Sequence, residues 1–193
     1  MVTNGSNMRH MVHNRDNLDL IILLLLREPT HVRGIAKRLG ESHSTIQRRL
    51  NELVKENVLD HKREGRNKVF FIKKNLKARN YVFNAEHYKQ IMLLRTYPKL
   101  NVIAEEILRK CNGRMIIIFG SYAKFKAKTD SDIDVYIETE DTRAKAEVES
   151  IHSKINVKTG IFDLNSELVK EIVKDHVILK GVEDFYEKTK LLE

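Results

Sequence analysis

Two aspartates and a glycine–serine pair are the residues whose types and spacing best suit chemistry. Asp132 and Asp134 are two positions apart in "SDIDVYIE", and Gly120 and Ser121 follow the apolar run "RMIIIF". Side chains at i and i+2 of a strand leave the same face, about 6.5–7 Å apart along the chain. Because carboxylates that close repel each other unless a cation lies between them, the spacing predicts a cation site.

The cation predicted for this site is Mg²⁺, and the predicted ligand is a triphosphate. Mg²⁺ takes one or two carboxylates together with substrate phosphates. Gly120 leaves room for a phosphate to approach the backbone, and Ser121 offers a hydroxyl and an N–H. Lys124 and Lys128 in the following loop are expected to attract the triphosphate.

A third carboxylate is expected to complete the site. Asp163 ends the predicted strand "VKTGIFD", and its neighbours Phe162 and Leu164 should face the core. If this strand lies beside the strand of Asp132, the three acids form one cluster. Three carboxylates can hold two metal ions, one activating the attacking hydroxyl and one neutralising the leaving pyrophosphate.

The elements that position these residues form a predicted module over residues 99–193. A helix precedes the buried strand "RMIIIFG", and the alternating strand "SDIDVYIE" follows the glycine–serine loop. The remaining segments predict a helix in "TRAKAEVESIHSKI", a third strand in "VKTGIFDLN", and helices in "SELVKEIVKDHVI" and "GVEDFYEKTKLLE". The fold class is therefore α/β (α+β), with a mixed sheet packed by helices.

The stretch "FGSYAKFKAKTDSDIDVYI" resembles the signature of the DNA polymerase β-type nucleotidyltransferases, and the module is similar to their minimal prokaryotic members. The resemblance implies that Gly120 and Ser121 grip phosphate and that Asp132 and Asp134 bind metal. It implies that Asp163 is the third carboxylate. It also implies an activity that transfers a nucleoside monophosphate from an NTP, with ATP preferred, to a hydroxyl, with Mg²⁺ or alternatively Mn²⁺.

One departure from the family pattern concerns the loop after the glycine–serine pair. Many minimal members carry an arginine two residues beyond the glycine and a second glycine after it. This chain has Tyr122 and Phe125 in this region. The departure affects the choice of substrate more than the fold.

Residues 15–75 predict three helices followed by a basic hairpin. The helices lie in "LDLIILLLLR", after Thr30 as a cap, and in "HSTIQRRLNELVKE" after Ser42; the hairpin turns at "EGRN". This arrangement resembles a winged helix-turn-helix domain. The resemblance implies that the third helix enters the major groove of double-stranded DNA and that the hairpin touches the phosphate backbone.

The predicted DNA contacts are polar residues of the third helix and of the hairpin. They are His43, Ser44, Thr45, Gln47, Arg48, Arg49, Arg66 and Lys68. The class also implies a homodimer. The alternative is a winged helix that serves only in dimerisation or packing.

The rest of the chain sets broad limits. Residues 1–14 are expected to form a flexible tail, and residues 76–98 a linker with a helix at about 84–95. The net charge is +8, and its basic excess lies in the first 110 residues, which suits a polyanion partner. The single Cys111 excludes an internal disulfide and, with no run long enough for a membrane span, favours the cytoplasm.

The sequence supports three functions. The first is an Mg²⁺-dependent nucleotidyltransferase whose acceptor is a partner protein, as in antitoxin-like members of the family, or another hydroxyl, coupled to DNA binding. The second is a DNA-binding transcriptional regulator whose nucleotidyltransferase-like domain binds nucleotide only as a ligand. The third, ranked lower because no aromatic–basic RNA-binding signature is present, acts on RNA.

Overall fold

A computed structural model describes residues 17–192 and divides the chain into two compact units. The first unit extends to Tyr88 and includes Leu192, and the second runs from Lys89 to Leu191. The tail predicted at residues 1–14 lies outside the described residues. The sequence boundary between the units falls inside one long helix.

The first unit contains three helices, a three-stranded antiparallel sheet in the order β1-β3-β2, and the start of a fourth helix. Its elements are α1 (Asn17–Arg27), β1 (Thr30–His31), α2 (Val32–Leu39), α3 (His43–Lys55), β2 (Leu59–Glu64), β3 (Asn67–Ile72) and α4 (Leu76–Thr96).

The residues that cap or end α2 and α3 are those typical of helix ends, with one exception at the start of α2. Gly40 ends α2 in the left-handed conformation, and Ser42 caps α3 by accepting a hydrogen bond from the backbone N–H of Thr45 at 3.1 Å. Asn57, after α3, has φ +60°, a conformation that asparagine tolerates better than most residues. The prediction that Thr30 caps α2 is wrong, because Thr30 pairs with Phe70 in the sheet and His31 precedes the helix.

Helix α4 is longer than the predicted 84–95 segment. Its start is fixed by Asn75, whose side-chain Oδ1 accepts a hydrogen bond from the N–H of Ala78 at 2.8 Å. This capping contact satisfies a backbone donor that would otherwise lack a helical partner. The helix therefore begins at Leu76 and runs on to Thr96.

The second unit is a four-stranded sheet with helices, in the order β6-β5-β4-β7. Strand β4 is antiparallel to β5 and β7, whereas β5 and β6 are parallel, so the predicted mixed sheet is present. The elements are α5 (Pro98–Lys110), β4 (Met115–Ile118), α6 (Gly120–Ala123), β5 (Ile133–Glu138), α7 (Ala144–Glu149), β6 (Ile155–Thr159), α8 (Glu167–Lys174), β7 (Val177–Lys180) and α9 (Val182–Thr189).

Two elements of this unit differ from the sequence prediction. The predicted helix that ends at Ile178 is too long: α8 ends at Lys174, and Val177–Lys180 is the edge strand β7. Strand β6 ends at Thr159, before the predicted aspartate. The next residue, Gly160, has φ +148°, which takes the chain out of the strand.

The alternation of side chains along β5 places one set in the main core and the other on the site face. Ile133, Val135 and Ile137 lie in a buried cluster that also contains residues of α5 and α7. On the opposite face, Tyr136 is buried against Phe162 at a ring distance of 5.7 Å. The aspartates precede Tyr136 on this second face, so the core side chains hold the site strand without occupying the site.

Candidate active site

The site begins where β4 ends against β5. The N–H of Phe119 donates to the carbonyl oxygen of Asp134 at 3.0 Å, which brings Gly120 beside that aspartate. Gly120 has φ +67°, and a Cβ built there would lie 2.2 Å from Oδ2 of Asp134. Both the backbone conformation and the lack of space require glycine here.

Ser121 lies in the single helical turn that follows Gly120. Its carbonyl oxygen accepts a hydrogen bond from the N–H of Lys126 at 2.9 Å, which closes the loop after the turn. Between them, Phe125 has φ +53°. This is the left-handed conformation that glycine adopts readily, so the loop keeps a shape suited to glycine although phenylalanine occupies it.

The two aspartates of the predicted pair differ in exposure. Asp134 is half-buried in β5, and Asp132 is exposed just before that strand. Burial is the largest cause that raises the pKa of the Asp134 carboxyl above its ordinary value. The negative charge of Asp132 raises this pKa further. The two carboxylates therefore interact, as expected for a site that gains stability from a cation.

Asn156 is the direct neighbour of Asp134 on β6 and was not predicted as a site residue. The two residues are register partners, and the Asn156 amide donates from Nδ2 to Oδ1 of Asp134 at 2.9 Å. This hydrogen bond lowers the pKa of Asp134 and opposes the effect of burial. No local motif identifies Asn156, because only the parallel pairing of β5 and β6 brings it to the aspartate.

Glu171 on α8 is a second residue near the site that was not predicted from the sequence. Nζ of Lys124 lies 3.1 Å from its Oε1, and its negative charge contributes to the raised pKa of Asp134. The predicted nucleotide-binding Lys124 is thus paired with an acid beside the site. Lys128 is exposed, and its backbone N–H donates to Oγ of Ser131 at 2.8 Å in a turn.

Asp163 does not join the pair, contrary to the expectation from the sequence. It lies in the loop after β6, where its Oδ1 accepts from the backbone N–H of Asn165 at 3.0 Å. Near it, the N–H of Phe162 donates to Glu138 at the far end of β5. Asp132 lies just before the start of β5, and Asp163 lies near its end. The two aspartates are therefore separated by the length of that strand, which rises about 3.3 Å per residue. The predicted cluster of three carboxylates is absent from this arrangement.

Within the described residues, no group of three or more His, Cys, Asp and Glu side chains is arranged to hold a metal ion. The carboxylate beside Gly120 is that of Asp134, and the negative charges of Asp132 and Glu171 both act on it. Two carboxylates that repel each other beside an open backbone still fit the donor set of Mg²⁺, which accepts one or two carboxylates and completes its shell with phosphate oxygens and water.

In the first unit, most of the predicted DNA contacts lie on the exposed side of α3. His43, Ser44, Gln47 and Arg48 line an open groove of about 550 Å³ along this helix. Thr45 is turned to the helix start, where its hydroxyl lies 2.8 Å from that of Ser42. On the hairpin, Arg66 and Lys68 are exposed.

Arg49 is the exception, and its predicted exposure is wrong. It is only 6% exposed, in a buried stripe of α3 with Ile46, Leu50 and Leu53. Positions i, i+3, i+4 and i+7 share one side of a helix, so Arg49 belongs to the inward side. It is therefore not placed to meet DNA in the way that Arg48 is.

The comparisons with known proteins agree with the class of domain that this site indicates. Residues 101–184 match the family model described as "Polymerase beta, Nucleotidyltransferase". The matched segment contains Gly120, Ser121 and both aspartates of the pair, which supports a nucleotidyltransferase domain in this part of the chain. No curated protein and no solved structure matched the chain. Between residues 17 and 192, no helix is long and apolar enough to cross a membrane.

Proposed function

We propose that the second unit transfers a nucleoside monophosphate from an NTP, with ATP preferred, to a hydroxyl acceptor. The observation that carries the proposal is the contact of Gly120 with the carboxylate of Asp134. It places a backbone that phosphate can approach beside an acid that is half-buried and close to a second acid. The match of residues 101–184 to nucleotidyltransferases supports the same reaction class.

Asp132 and Asp134 would hold Mg²⁺, or Mn²⁺ in its place. When bound, the ion supplies Lewis-acid polarisation of phosphoryl oxygens and neutralises negative charge. The aspartates contribute carboxylate oxygens from one face of β5. Because the charges of the two side chains raise the free energy of the empty site, a cation between them relieves their repulsion.

The loop after β4 would bind the triphosphate. Gly120 allows close approach of a phosphate, and the hydroxyl and N–H of Ser121 are hydrogen-bond donors for its oxygens. Lys124 and Lys128 attract the negative tail. In the reaction, the acceptor oxygen forms a bond to the α-phosphorus, the bond from that phosphorus to the bridging oxygen breaks, and pyrophosphate leaves. The acceptor loses its hydroxyl proton to the surroundings.

The experiment incubates the full chain with Mg²⁺ and each of the four NTPs labelled at the α-phosphate, with and without cell extract. We expect label on a macromolecular or small acceptor, and its loss in Asp132→Asn. Unlabelled acceptors in every reaction, or equal labelling by the variant, would contradict the proposal. Purification of a stably bound small protein that becomes labelled would identify a partner protein as the acceptor.

A second candidate function is double-stranded DNA binding by the first unit as a winged helix-turn-helix. The open groove along α3 favours it, since polar and basic side chains of one helix line a surface from which they can reach base edges and phosphates. The exposed hairpin residues Arg66 and Lys68 would meet the phosphate backbone. In this reading, nucleotide binding in the second unit serves as a ligand signal.

DNA binding is tested by fluorescence anisotropy with a labelled 30-bp duplex at several salt concentrations. We expect affinity to fall steeply as salt rises, because phosphate contacts release counterions. An affinity that does not depend on salt would contradict this function. A protein that binds DNA and NTP but transfers no label would favour the regulator over the enzyme.

A further inference from the structure

The side-chain amide of Asn156 contacts the carboxylate of Asp134. Strands β5 and β6 run parallel, and their register pairs Asp134 with Asn156. Side chains of register partners leave the same face of a sheet, so the contact follows from the pairing. The distance from Nδ2 of Asn156 to Oδ1 of Asp134 is 2.9 Å, a hydrogen bond to a charged acceptor.

This hydrogen bond fixes how the carboxylate of Asp134 is presented. Its Oδ1 accepts from Asn156, and its Oδ2 lies against Gly120, where a Cβ would come within 2.2 Å. The carboxylate is therefore held between an amide on one strand and a bare backbone at the end of another. A carboxylate has about four acceptor sites, so the contact with Asn156 leaves lone pairs available to a cation.

Asn156 also determines the charge of the site, because an amide carries none. The sequence predicted a carboxylate beside the pair on the neighbouring strand, and Asp163 lies instead in the loop at the far end of β5. The other nearby acid, Glu171, is paired with Lys124 at 3.1 Å, which compensates its charge. Neither Asp132 nor Asp134 forms an ion pair with a basic side chain of residues 17–192, although the positive charge of Lys158 acts on Asp134.

We infer that Asn156 is a positioning residue for Asp134, and that its neutral amide limits the aspartate pair to one divalent cation when no nucleotide is present. The inference rests on the proposed function of the same site. Asn156 itself does not touch the ion. It orients the carboxylate that does, and it occupies the position from which a third carboxylate would add the charge needed for a second ion.

The test titrates the full chain with Mn²⁺ alone and follows free Mn²⁺ by electron paramagnetic resonance. We expect the wild type to bind one ion that Asp132→Asn loses. Replacing a residue that orients a metal ligand typically weakens binding about 10–100-fold, so Asn156→Ala should weaken Mn²⁺ binding by about 10-fold or more. The matched control is Asn165→Ala, which removes an asparagine that donates to Asp163 at 3.1 Å, away from the pair.

A second variant, Asn156→Asp, tests the charge. The substitution adds a carboxylate beside Asp134. Without metal, the thermal midpoint of the variant should therefore be lower than that of the wild type. Addition of Mn²⁺ should raise the midpoint of the variant by more than it raises the midpoint of the wild type. We expect tighter binding or a second ion. Thermal unfolding without Mn²⁺ verifies that Asn156→Ala is folded, so that its weaker binding reports the loss of orientation.

The outcomes separate the inference from the proposed function. If Asp134→Asn abolishes Mn²⁺ binding while Asn156→Ala binds as the wild type does, the positioning role is overturned and the metal site stands. Two ions bound by the wild type, or no gain by Asn156→Asp, would overturn the limit to one ion. If Asp134→Asn and Asp132→Asn both bind Mn²⁺ normally, the metal site itself fails and the inference with it.

Discussion

Substitution of Gly120 by alanine tests the geometry on which the site depends. The added Cβ would lie 2.2 Å from Oδ2 of Asp134, whereas ordinary contacts begin near 3.4 Å. The carboxylate or the loop must therefore move by about 1 Å, and a misplacement of that size in an active site can cost about 10²-fold in rate. We expect transfer activity to fall at least that far.

The same substitution should also destabilise the second unit. Alanine held at positive φ costs about 1–2 kcal/mol. Weakening the half-exposed hydrogen bond from Asn156 to Asp134 adds about 1 kcal/mol. Together these give a loss of about 2–3 kcal/mol in the free energy of unfolding, which denaturant unfolding followed by circular dichroism measures as a lower midpoint at unchanged slope.

Gly65→Ala is the matched control for Gly120→Ala. Gly65 has φ +58°, close to the +67° of Gly120, but no atom lies within 4 Å of the Cβ position. It should carry the backbone cost of about 1–2 kcal/mol and keep full transfer activity. If Gly120→Ala retained more than half of the wild-type activity, the contact between Gly120 and Asp134 would not have the role assigned to it.

Three further predictions concern charge. The folded pKa of Asp134 lies above its ordinary value of 3.8, so ionisation of this carboxyl opposes folding. The free energy of unfolding of the wild type, relative to that of Asp134→Asn, should therefore fall as the pH rises through the range just above 3.8. Urea unfolding at several pH values measures this difference. Arg48→Ala should weaken DNA binding and reduce the salt slope by about 1 in anisotropy titrations, whereas Arg49→Ala should mainly lower the thermal midpoint. Glu171→Gln should release Lys124 from its ion pair and tighten binding of a fluorescent ATP analogue by about 2–5-fold. Unchanged or weaker binding would contradict the role given to the ion pair of Lys124 and Glu171.

The local parts of the site were predictable from the sequence. Gly120 and Asp134 belong to a short motif, and the alternation around Ile133 and Val135 indicates which face the acids share. The caps at Gly40 and Ser42 are also local signals, since each depends on a few neighbouring residues.

The parts that depend on pairing between distant segments were not predictable in the same way. The partner of Asp134 is decided by the register of β5 and β6, which no motif near Asn156 encodes. Asp163 was placed wrongly because the strand ends at Thr159, four residues before Asp163, and Gly160 then turns the chain away. Arg49 was placed wrongly because the buried side of α3 includes this arginine as well as the apolar residues from which the buried side was predicted.

The parallel pairing of β5 with β6 has a consequence for the order in which the site is assembled. The antiparallel contact between β4 and β5 brings Gly120 to Asp134 through the connection at residues 119–132, whereas β6 reaches β5 only after a later crossover, residues 139–154, that includes α7. A nascent chain that has emerged only as far as β5 therefore already carries both acids and the glycine, and their amide neighbour arrives as a separate, later event of synthesis and folding.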